Sequence, residues 1–137
     1  MDKSGYNEMI KKSFFIWLAL VFLAIVNGGL RETLINPLIG ERYGQPLSGI
    51  LLSVILFVVC WFCIPRIGRG TAKTYWIIGL CWIIWTVLFE TGFGLLTGDS
   101  MATLMKAYDP TTGNLWSVVV LFIGIAPWLT AKIRKII

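Results

Sequence analysis

Asn27-Gly28-Gly29-Leu30-Arg31-Glu32 closes the first long apolar run of this chain, and its last two residues decide how that run is read. Residues 14–26 carry no charge. A charged pair just beyond such a run is what a helix shows as it leaves hydrocarbon for water. At 1.5 Å per residue, a helix over 14–30 is about 25 Å long, short for a bilayer but sufficient with help at its ends. Three more apolar runs follow, and the same reasoning predicts helices over 47–64, 75–96 and 115–129.

Composition points the same way. Of 137 residues, 57% are hydrophobic and 14% charged. A soluble core of this size cannot hide so much apolar surface, whereas a bilayer accepts it. The fold expected is all-α: a four-transmembrane-helix bundle forming a single integral membrane domain over 1–137. Lys11 and Lys12 ahead of the first run resemble the start of a signal peptide, but no small-x-small cleavage site follows cleanly, so the run is read as a retained first helix.

The net charge of +5 invites a nucleic-acid reading, which the distribution of charge rejects. Lys3, Lys11, Lys12, Arg66, Arg69, Lys73, Lys132, Arg134 and Lys135 fall on one side of a four-span chain; Arg31, Arg42 and Lys106 fall on the other. That asymmetry orients membrane proteins and puts both termini in the cytoplasm, the chain being placed in the inner (plasma) membrane. Membrane lipids are the partners implied, with a homodimer or homotrimer plausible for so small a bundle. No cofactor is implied. The chain has no histidine, which removes the usual metal ligand and neutral-pH base.

The two outer connections are expected to carry short amphipathic surface helices. In the first, Asn36-Pro37 reads as an N-cap followed by proline at the first helical position, with Leu38, Ile39 and Tyr43 on one side; Pro46 then permits a fresh helix start. In the other, Asp99 or Ser100 caps a segment whose Met101, Leu104, Met105 and Tyr108 share a face, and 109–113 reads as a turn. The residues before the first span, polar and mixed in charge, read as a frayed lead-in. In the fourth span, Gly124 and Pro127 are candidate bends.

In the third span Gly79, Thr86, Glu90 and Gly94 lie close to one stripe, the face that is not bulky and apolar. Glu90 lies roughly 22 Å into its helix and Arg31 roughly 25 Å into its own, so the two sit at matching depth near the outer boundary of the hydrocarbon. A carboxylate there demands a partner, protonation or a wet cavity. Arg31 is the best-placed partner, since a guanidinium holds a carboxylate with two parallel bonds. Asn27, Ser53 and Thr86 lie on faces that can join the cluster, while Glu32 points about 100° away from Arg31. The ligand-binding or structural polar cluster expected is thus Asn27, Arg31, Glu32, Ser53, Thr86 and Glu90.

Several functions fit such a cluster. It can be a staple fixing helix register, or a pocket for a lipid headgroup or small ligand in a non-enzymatic membrane protein. Glu90 can serve a small transporter as a proton or cation site; a lipid-modifying enzyme is the remaining class, without a nucleophile motif or second buried acid to support it. Cys60 and Cys63 form C-x-x-C near the inner end of the second span, with Cys81 at similar depth in the third. They are weak candidates for metal or redox work, because a lipid-embedded helix lacks the N-terminal setting that activates a thiol and cysteine is also an ordinary small apolar residue. Trp17, Trp61, Trp76 and Trp128 read as an inner interfacial belt with Trp116 on the outer side, Trp82 and Trp85 lying deeper.

Together with the four spans, the strings 27–32, Leu47-Ser48-Gly49, Glu90 with Phe93-Gly94, Tyr108-Asp109, Gly113 and Leu115-Trp116 resemble a family of small four-helix bacterial and archaeal inner-membrane proteins without an assigned activity. The resemblance implies a membrane protein of about this topology and brings no catalytic residues.

Overall fold

The computed structural model describes residues 3–106 and 116–137. Tyr108, the 109–113 turn and Leu115 lie outside the described residues. Every regular element among those described is helical: α1 (Lys3–Leu30), a π-helical turn (Arg31–Ile35), α2 (Asn36–Ile39), α3 (Glu41–Cys63), a 3-10 turn (Ile64–Ile67), α4 (Ala72–Leu96), α5 (Met101–Lys106) and α6 (Trp116–Ile133). Among the described residues, four helical stretches are long and apolar enough to cross a membrane: Asn7–Ile39, Arg42–Ile67, Ala72–Leu96 and Trp116–Ile133.

The first span departs from expectation at both ends. Its polar start is helical and anchored, because Met9 is buried beside the Gly68 turn and the Ser13 carbonyl accepts a hydrogen bond from Trp82 Nε1 at 3.2 Å. At its far end Asn36 is no N-cap: its backbone is helical (φ −61°, ψ −43°) and its N–H donates to Arg31 O, five residues back. The run breaks only at Gly40, whose φ of 86° suits a residue without Cβ. Pro46 does not start a helix either. It lies inside α3, near enough to the start that only the exposed Arg42 carbonyl loses its i+4 donor.

Local chemistry fixes the ends of α4. The Thr71 amide donates to Thr74 Oγ1 at 3.3 Å, starting the helix ahead of Tyr75. At its end, Gly98 (φ 98°) lets Asp99 N–H reach Gly94 O and Gly98 N–H reach Leu95 O, a Schellman closure. Ser100 Oγ then accepts Thr103 N–H at 3.1 Å at the head of α5. Leu104 of α5 seats in the notch left by Gly94, while Met101 and Met105 stay exposed.

Contacts between helices order the spans. Ser13 meets Trp82 and Trp17 meets Thr86, so α1 and α4 run in the same direction. Trp76 stacks on Trp128 (ring centroids 5.0 Å apart), Gly79 abuts Gly124, and Glu90 meets Trp116, so α6 runs against α4. Phe57 meets Phe122 and Trp61 meets Arg134, so α3 runs with α6. The Gly79–Gly124 approach brings two backbones together, the geometry small residues permit in membrane helices. α6 continues unbroken through Gly124 and Pro127.

Leu56, Cys60, Ile64, Tyr75, Ile78, Trp82, Val119 and Ala126 form the core. Phe22, Val54, Leu88 and Leu121 are all more than half exposed, an apolar outer surface compatible with a hydrocarbon surround. Trp17 corrects the interfacial reading: it is buried, 6% exposed, in the wall between α1 and α4. Trp76 and Trp128 stack near the basic end of the bundle, as an aromatic belt would.

Candidate functional site

α1, α3, α4 and α6 enclose a cavity of about 450 Å3 that takes in Asn27, Arg31, Thr86 and Glu90 of the expected cluster. Its inner walls are apolar, from Leu20, Leu52, Leu56, Val119 and Ile123; its other end is polar. Along α3 it extends from Gln45 to Leu56, roughly 16 Å at 1.5 Å per residue.

Each polar group has a defined setting. Asn27, on α1, is buried and accepts through Oδ1 a hydrogen bond from the buried Ser48 hydroxyl of α3. Thr86 Oγ1 accepts Trp17 Nε1–H at 2.9 Å, tying α1 to α4 at the cavity floor. Glu90 Oε2 accepts Trp116 Nε1–H, so α6 aims the carboxylate. Arg31 stands on the π-helical turn, an irregularity that often accompanies functional sites.

Two expectations are corrected. The ion pair of Arg31 is with its neighbour Glu32 (Nε–Oε1 3.4 Å) rather than with Glu90; Glu32 is 64% exposed and lies outside the cavity lining. The π turn changes the angular step after Leu30, and the flexible Arg31 stem folds back to its neighbour. Ser53 does not join the cluster. It donates to Gly49 O at 3.0 Å and faces a separate apolar hollow beside Val54, Phe57, Val118 and Phe122. The α3 serine in the cavity is Ser48, and helical geometry explains the choice: positions five apart point about 140° apart, so only one can face α1.

Gln45, Ser48 and Trp116 are polar-bearing lining residues that the expected cluster did not include. Ser48 was legible as one small polar position on a face toward α1. The Trp116–Glu90 contact was not, because it depends on how α6 docks. Cys60, Cys63 and Cys81 are free thiols, Cys60 fully enclosed, and no group of three His, Cys, Asp or Glu among the described residues stands together as a metal site.

Two stability tests arise here. Ser48→Ala leaves the buried Asn27 carbonyl oxygen without its donor and should cost about 0.5–2 kcal/mol, with coupling to Asn27→Leu in a double-mutant cycle read from detergent unfolding. Arg31→Leu breaks only a partly exposed ion pair and should cost no more than ~1 kcal/mol in the same assay. A larger loss would restore the register-staple reading.

No protein-family model matches this chain, and neither a curated protein nor a solved structure is detectably similar to it. The resemblance to small four-helix inner-membrane proteins therefore rests on the quoted residues alone.

Proposed function

We propose that this chain is a multi-pass plasma-membrane protein, both termini cytoplasmic, whose polar-ended cavity binds a lipid headgroup or small ligand from the outer side. The observation that carries the reading is the cavity's composition: a guanidinium, a carboxylate and a buried amide–hydroxyl pair at one end, and aliphatic side chains at the other. Ligand pockets typically combine apolar walls with a few convergent polar groups in volumes of ~300–1,000 Å3. The nine-to-three distribution of basic residues supports the orientation, since Lys11, Lys12, Arg66, Arg69, Lys73, Lys132, Arg134 and Lys135 are exposed at the end away from Arg31 and Glu90.

Native mass spectrometry of the protein released from mild detergent tests the binding. Wild type should retain one small-molecule or lipid adduct per chain. Ala24→Phe, which fills the cavity from α1, should lose it, and Leu18→Phe, on the exposed face, should keep it. Adducts of equal abundance in all three proteins would contradict the reading.

A second reading has one observation in its favour: Glu90 opens onto the same cavity, where a transporter would place a proton or cation site. A pH-dependent uptake lost in Glu90→Gln and retained in Cys63→Ser would favour transport over binding.

A further inference from the structure

The hollow that Ser53 faces lies on the seam between α3 and α6, apart from the cavity beside α1. Ile50, Val54 and Phe57 of α3 and Val118 and Phe122 of α6 line this groove of about 360 Å3. Its one hydroxyl, that of Ser53, already donates to Gly49 O, so the walls offer a ligand only hydrocarbon. From Gly49 to Val58 the groove runs roughly 14 Å at 1.5 Å per residue. At roughly 30 Å3 per water-sized group it holds on the order of twelve such groups, one acyl chain and not two.

At its inner end the same seam carries a guanidinium held in place. Trp61 follows Phe57 by one turn on the same face of α3, their ring centroids 6.0 Å apart. In a regular helix the Trp61 carbonyl would accept the amide of residue 65, but residue 65 is proline and has no N–H. Arg134, just beyond α6, supplies the missing donor: its Nη1 donates to Trp61 O at 2.6 Å, and its guanidinium lies over the Trp61 ring, 5.1 Å from the centroid. A guanidinium has five N–H donors, and Arg134 makes no ion pair among the described residues. Lys132 and Lys135 flank it, the exposed cations of α1 and of the 66–73 turn share its end of the bundle, and Glu8 is the one acidic side chain described there. That end attracts an anion and repels an ammonium.

We infer that the α3–α6 seam holds an anionic phospholipid of the inner leaflet, its phosphate on Arg134 and one acyl chain in the groove. Basic pockets between membrane helices on the cytoplasmic side are where phosphate headgroups bind, each nearby Lys or Arg adding to the attraction. Trp61, at the guanidinium, and Val58, at the near edge of the groove, are one helical turn apart, so the headgroup and chain sites adjoin. The inference rests on the orientation proposed above and not on what fills the cavity beside α1. Gly49 and Ser53, four residues apart, would also admit a second copy of this chain. Charge favours the lipid, because a neighbouring copy in the same orientation brings its own cations to the level of Arg134, whereas a phosphate neutralises them.

A groove open on one side exchanges its lipid with detergent, so the test adds lipid back to delipidated protein and reads binding by native mass spectrometry. The probes are phosphatidylglycerol, phosphatidylethanolamine and diacylglycerol. One phosphatidylglycerol per chain should bind about tenfold tighter than either of the others. Ala24→Phe, which fills the other cavity, should keep that preference. Arg134→Gln, which retains a donor for the Trp61 carbonyl but carries no charge, should bring the three lipids to within about twofold, and Arg134→Lys should retain the preference. Val54→Phe and Val118→Phe, which fill the groove from opposite walls at exposed positions, should each weaken phosphatidylglycerol binding by about tenfold, and Leu121→Phe, exposed but outside the groove, should not. Equal binding of the three lipids by wild type, or a preference that survives in Arg134→Gln, would overturn the headgroup assignment. Wild-type binding by both groove variants, or loss of the preference in Ala24→Phe, would place the lipid elsewhere and overturn the site. A dimer that Val54→Phe dissociates, with no lipid adduct, would give the groove to a second copy instead.

Discussion

Trp17→Ala should destabilise the protein by about 3–5 kcal/mol, the range for removing a large buried aromatic side chain. The indole is 6% exposed and its Nε1–H satisfies Thr86, so truncation opens a void and removes a buried hydrogen bond together. It also meets Trp85 and Phe89, with centroids 5.8 and 6.2 Å away, ring contacts that fasten α1 to α4. The loss should therefore be local in character: amide hydrogen exchange in α1 should accelerate more than in α6. Trp76→Ala is the comparison, since that ring is 44% exposed and stacks on Trp128 at the bundle's edge. It should cost clearly less in the same detergent unfolding assay. Equal costs would return Trp17 to the interfacial role its position in the sequence suggested.

Gly79→Ala should cost roughly 1–3 kcal/mol or more, an overpacking penalty incurred by a single methyl group. A Cβ at Gly79 overlaps the backbone carbonyl of Gly124, and backbone cannot swing aside as a side-chain tip can. α4 and α6 would have to separate along their length. Gly92→Ala, on the same helix with nothing within 4 Å of the new Cβ, should be neutral or stabilising by up to ~1 kcal/mol through helix propensity alone. Unfolding midpoints for the two variants check the contrast. Matching values would mean that the close approach is not what holds α4 to α6.

Much of the architecture was legible in the sequence because hydropathy over a span sums many residues. The four apolar runs appear as four long helices, their ends shifted by capping chemistry such as Thr71–Thr74 or by burial such as that of Met9. What failed were arguments resting on one residue. Pro46 looked like a helix start, yet proline is tolerated near the beginning of a helix as well as at its first position. Asn36-Pro37 carried a capping pattern that a preceding π turn overrode. Trp17 looked interfacial because the first span was begun at residue 14, whereas the helix begins at Lys3 and buries that ring.

The candidate site was legible in outline. Matching depths put Arg31 and Glu90 at one level, and both line one cavity with Asn27 and Thr86. Depth is a one-dimensional quantity and says nothing of azimuth. That is why Ser53 was chosen over Ser48, and why a direct Arg31–Glu90 pair was expected where the structure has Arg31 beside Glu32 and Glu90 beside Trp116.

If the cavity binds a lipid, as proposed, the interior of this bundle receives part of that lipid, and not only its outer surface. Methyl NMR of the reconstituted protein with protonated lipid measures this directly through intermolecular NOEs. Lipid binding in the cavity predicts NOEs from lipid methylenes to the buried methyls of Leu52, Leu56 and Ile123, in addition to the outward-facing methyls of Val54 and Leu88. NOEs confined to Val54, Leu88 and their exposed neighbours would show a bundle that lipid surrounds without entering, and would contradict it.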